Sequence, residues 1–107
     1  MKIKIKPLSV NECWAGRRFK TPKYKEYEEE LLWKLKDKKI PLGKLAIIFR
    51  FGFSNKMCDW DNPIKPLQDI LQKRYKFNDR DVYRASIEKE IVKKGEEFIE
   101  FFIEKYE

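Results

Sequence analysis

The residues best suited to chemistry lie between Cys58 and Asp79. Asp59 and Asp61 flank Trp60; Asn62, Pro63 and Lys65 follow directly, Asp69 comes next, and Asn78-Asp79 closes the stretch. In extended chain, alternate residues point to one side, so Asp59 and Asp61 face one way and Trp60 the other. Two carboxylates on one side repel unless a cation neutralises them. Carboxylates with open coordination positions suit Mg²⁺ or Mn²⁺, and a hard cation suits phosphate. Asp59, Asp61 and Asp79 are therefore candidate metal ligands and catalytic acids. Lys65, one helical turn into the next element, is placed to stabilise a transition state or to help activate the nucleophile. The chemistry these types support together is metal-assisted hydrolysis of a phosphodiester. The plain alternative is a polar turn that caps a helix. An EF-hand does not fit, because its loop spacing and terminal Glu are missing.

Composition narrows the partners. At 107 residues with 42% hydrophobic content, the chain is long enough for one domain with its own core. Charged residues make up 40%, against roughly 25% in average chains, so most charge must be solvated surface. The net charge of +7 points to a polyanion, most simply nucleic acid. The competing explanation is a lysine-rich proteome. With no histidine present, His-based general bases, Ser-His-Asp triads and the commonest zinc sites are excluded. Cys13 and Cys58 stand far apart and cannot by themselves make a structural zinc site. No signal peptide and no membrane-spanning apolar run is visible, so two free thiols in a reducing, cytoplasmic setting are expected.

The elements that position these residues follow from periodicity. Met1–Pro7 alternates lysines with Ile3 and Ile5, which predicts a half-buried strand ended by Pro7. Leu8–Thr21 reads as a loop in which Trp14, Arg17, Arg18, Phe19 and Lys20 mix basic and aromatic side chains, a composition able to grip phosphates and stack on bases. Thr21–Lys39 predicts a helix capped by Thr21, started by Pro22, and buried through Tyr24, Tyr27, Leu31 and Leu35. Leu45–Phe53 predicts a central strand, with Gly52 marking a bulge or a close backbone approach. A second helix is expected over Asn62–Tyr75, capped by Asn62 and buried through Ile64, Leu67, Ile70 and Leu71. Asp81–Val92 alternates again, but Lys89 falls in phase with the apolar set, either snorkelling past the rim or reaching the carboxylates or a phosphate. Lys93–Glu96 predicts a hairpin turn with Gly95 at positive φ, and Phe98–Tyr106 the return strand. The sum is an α+β fold: a single two-layer domain, β-α-β-α-β-β, with a mixed sheet and helices on one face.

Asp59-Trp60-Asp61-Asn62-Pro63-Ile64-Lys65, with Asp69 downstream, resembles the D-x-D-N-x-x-K-x-x-x-D signature of RusA-type Holliday junction resolvases. Asn78-Asp79, before a short strand, resembles that family's second acidic motif; Lys89 matches a lysine often found at that strand's end; Ser9-Val10-Asn11, Trp14 and Tyr24–Tyr27 resemble its amino-terminal region. The resemblance spans nearly the whole chain. It implies a homodimeric, Mg²⁺- or Mn²⁺-dependent endonuclease that nicks four-way DNA junctions in pairs, cytoplasmic and often prophage-encoded. It makes Asp59, Asp61 and Asp79 the acidic site, Lys65 the catalytic lysine, and Asn62, Asp69 and Lys89 supporting residues. Two positions depart from it: Asn78 stands where the family often has Asp, and Cys58 where a basic residue can occur. Phosphate contacts are expected from Arg17, Arg18, Lys20, Lys56, Lys73, Arg74 and Lys76. Flap or fork cleavage, and a basic DNA-binding module without turnover, are the rival functions.

Overall fold

The computed structural model describes residues 1–16 and 19–107. Arg17 and Arg18, two of the expected phosphate contacts, lie outside them. The chain runs β1 (Lys2–Ile3), a 3₁₀ turn (Val10–Glu12), β2 (Trp14–Ala15), β3 (Phe19–Lys20), α1 (Pro22–Lys34), β4 (Leu45–Phe53), α2 (Ile64–Tyr75), a second 3₁₀ turn (Asp79–Asp81), β5 (Val82–Ile91) and β6 (Phe98–Lys105). Strands order as β1-β6-β4-β5 in one mixed sheet; β2 and β3 form a separate small hairpin within the stretch expected to be loop.

β4 is the axis of the domain. Leu45, Ile47, Phe49, Phe51 and Phe53 alternate onto one face and are buried there with Ile99, Phe101 and Ile103 of β6. Tyr24, Tyr27 and Leu31 of α1 and Leu67, Ile70 and Leu71 of α2 close over the same cluster, so both helices cover one side of the sheet. Thr21 caps α1 by accepting from the Tyr24 amide at 3.2 Å, as its position predicts.

Four expectations need correction. β1 spans only Lys2–Ile3 rather than Met1–Pro7: the backbone of Met1 bonds to Phe101 and Lys2–Ile3 pair with β6, and the strand pairing ends there. α1 stops at Lys34 rather than Lys39. Leu35 is extended, the Tyr75 hydroxyl donates to the Lys36 carbonyl at 2.7 Å, and Arg74 holds Asp37, so tertiary contacts draw this lysine-rich segment out of the helix. Asn62 does not cap α2: Pro63 stands at that position without a side-chain bond, while the Asn62 amide donates to Asp59 Oδ2 at 3.3 Å. β5 and β6 form no hairpin. β5 pairs parallel with β4, and the chain crosses the end of β4 before β6 returns antiparallel on its other side. Gly95 does take φ +93, but its turn serves that crossing. Gly52 is the close approach: a Cβ there would collide with the Phe98 ring.

Candidate functional site

The acidic residues leave the sheet at two places. Asp59 and Asp61 follow β4; Asp79 precedes β5. In a parallel pair these are opposite ends, since Leu45 pairs with Val82 and Phe53 with Ile91. The two groups meet only if the connecting loop doubles back. It begins to do so in a turn built by Asn55, whose side chain accepts from the Met57 amide at 2.9 Å and whose carbonyl accepts from the Cys58 amide at 3.2 Å. By Cys58 the loop has returned to the level of Lys89, which sits opposite Phe51: the Lys89 ammonium donates to the carbonyls of Lys56, at 2.8 Å, and Cys58. Lys89 therefore reaches the backbone that leads into the acids, and among the described residues it forms no ion pair with a carboxylate.

Lys65 and Asp69 share one face of α2 and form an ion pair at 2.9 Å. That hydrogen bond is the main reason the Lys65 ammonium is held above its ordinary pKa; the charges of Asp69 and then Asp79 add to it. Lys65 thus stays a cation, which fits stabilisation of negative charge rather than proton abstraction. Lys65 senses Asp69 on its own helix and Asp79 at the start of the next element. Asp59 and Asp61 are exposed, and Asp59, Asp61 and Asp79 enter none of the ion pairs formed among the described residues. Among those residues, no three Asp, Glu, Cys or His side chains stand close enough together to hold a metal ion. The donor chemistry nonetheless fits a hard divalent cation, because Mg²⁺ retains several waters and binds through one or two carboxylates.

Asn78 has a local role that its motif position does not require to be acidic. It precedes the Asp79–Asp81 turn, and its side-chain oxygen accepts from the Arg80 amide at 3.0 Å. Asn and Asp fill such a cap almost equally well. One carboxylate escaped sequence reasoning: Glu12 lines a cleft of about 260 Å³ with Asp59, Asn62, Ser9 and Lys6. The Val10 amide donates to the Asn62 carbonyl at 2.9 Å, tying this amino-terminal turn to the acidic loop. Nothing in local spacing joins residues so distant in the chain.

The expected phosphate contacts divide. Lys20 and Lys73 both pair with Glu28, at 3.2 and 3.3 Å, which places these two cations together; Arg74 pairs with Asp37 at 2.6 Å. Surface pairs of this kind contribute only about 0–1 kcal/mol, so a phosphate can displace the carboxylate. Lys56 and Lys76 are exposed, Lys76 as the left-handed cap of α2 at φ +61. The uncovered face of the sheet has the opposite character: Arg50 is surrounded there by Glu88, Glu90 and Glu100.

Among the described residues no helix is long and apolar enough to cross a membrane. A scan against models of known protein families finds no match to the chain, and a search of curated proteins finds none either.

Proposed function

We propose that this protein is a divalent-metal-dependent, structure-selective endodeoxyribonuclease that resolves four-way DNA junctions by paired nicks. The observation that carries the proposal is the state of its acids. In a chain of net charge +7, Asp59 and Asp61 remain exposed and free of ion pairs among the described residues, while Lys65, close behind them in the chain, is kept protonated by Asp69. Asp59 and Asp61, on the exposed loop, would hold Mg²⁺ or Mn²⁺ through one or two carboxylates with retained waters, and Asp79 would add negative charge near Lys65; the ion's chemistry would be to lower the pKa of water and offset charge on phosphate oxygens. Lys65 supplies a fixed positive charge to the scissile phosphate. Asp69 orients Lys65, and Asn62 orients Asp59 through its amide. Lys20, Lys56, Lys73, Arg74 and Lys76 supply phosphate contacts, while the Glu-rich open face of the sheet turns away from DNA.

The partner in solution is a second copy. β5 is the surface proposed for it: a long edge strand, mostly exposed, with no backbone partner on its outer side among the described residues. Such an edge is a template for pairing. A twofold axis there would keep both acidic loops on the same side of a continuous sheet.

The test is cleavage of a synthetic four-way junction with Mg²⁺ or Mn²⁺. Paired nicks in wild type, with Asp61→Asn binding the junction but not cutting, are the expected results. Normal cutting by Asp61→Asn removes the site assignment. A second reading, a DNA-binding module without turnover, is favoured by the lack of a three-acid cluster among the described residues. It predicts junction binding without cutting under either metal.

A further inference from the structure

We infer that Lys89 is a positioning residue, a strap by which the sheet holds the acidic loop. The inference deepens the proposed function and rests on it only for what the loop does. The structural case is separate. Lys89 sits on the helix-covered side of β5, in register with Phe51, at a position whose neighbours on β4 are phenylalanines. An ammonium there is costly without acceptors. Its acceptors are the Lys56 and Cys58 carbonyls, inside and at the end of the turn that Asn55 opens, with its charge 5.9 Å from the Phe53 ring centre. The peptide link after Cys58 leads straight into Asp59. The strap therefore sets where Asp59 and Asp61 begin, although Lys89 touches neither carboxylate in any hydrogen bond or ion pair among the described residues. The other outside tie is the Val10 amide to the Asn62 carbonyl, beyond the acids; Met57 and Trp60 are exposed at 79% and 55%.

Cys58 is a built-in reporter of the strap. It is half-buried, and its own carbonyl is one of the two acceptors. Cys13 is an internal control: it is buried, and desolvation, with help from Glu12 and Asp69, pushes its thiol up to about 11. The full chain is reacted with dithionitrobenzoate at pH 8, each thiol being assigned by peptide mass mapping. In Lys89→Met, Cys58 is expected to react at least on the order of tenfold faster, the loss of two charge-assisted hydrogen bonds expressed in a local opening equilibrium. Cys13 is expected to keep its rate, and Lys89→Arg to react like wild type. Global destabilisation would accelerate both thiols together and overturn the inference, as would an unchanged rate at Cys58. Binding of Mn²⁺ alone is measured on the same proteins and should weaken in Lys89→Met and recover in Lys89→Arg. If wild type binds no Mn²⁺, the nuclease reading falls while the thiol rates still decide the role of Lys89.

Discussion

Two consecutive stretches of this chain obey opposite rules. Leu45–Phe53 is almost entirely buried, regular in register on both sides, and lined by stacked aromatic rings such as Phe49 and Phe51, whose centres lie 5.8 Å apart. The next ten residues, Ser54–Pro63, have no regular structure and expose Met57, Asp59, Trp60 and Asp61. The first stretch supplies stability and the second supplies unspent charge. A carboxylate is expensive to bury and useful to a cation only when uncommitted, so it belongs on a loop anchored to a strand rather than in the strand. The anchoring comes from outside the loop, through Lys89 of β5 and the Val10 amide of the amino-terminal turn.

Substitutions ranked by their cost to stability sharpen this contrast. Phe49→Ala, at a side chain with no exposure, should destabilise by about 3–5 kcal/mol, read as a shift in the urea midpoint. Gly52→Ala should cost about 1–3 kcal/mol by the same measurement, because its methyl group meets the Phe98 ring, itself buried under Lys2 and Arg50. Tyr75→Phe should cost about 1 kcal/mol by removing the hydroxyl that donates to the Lys36 carbonyl, and amide exchange should quicken over residues 36–38. Asp61→Asn should change stability by less than about 0.5 kcal/mol while abolishing junction cutting. A large stability loss from Asp61→Asn would erase the distinction between the two stretches.

How much of this was legible depended on how local the cause was. The bounds of β4 follow from its own alternation, and the buried stripe of α2 from its own helical spacing. Thr21 announces its cap because the cap is made within one turn. α1 could not be bounded this way: the run after Lys34 is compatible with helix, and only Tyr75 and Arg74, on another helix, draw it away. The β5–β6 hairpin failed for a related reason. A Gly-containing turn between two strands looks the same whether they pair with each other or straddle a third. The cleft that Glu12 shares with Asp59 was invisible, because it is created by chain segments far apart in sequence.

The sequence by itself determined the element types, the apolar faces and the short-range motif of acids with a lysine one helical turn beyond. Each of these is set by backbone periodicity and by contacts within a few residues. Only the tertiary structure decided the strand order, the insertion of β6 between β1 and β4, and the partner of Lys89. A side chain out of phase with its strand states that an unusual contact exists, but its acceptors lie on another segment, and folding alone brings them within reach.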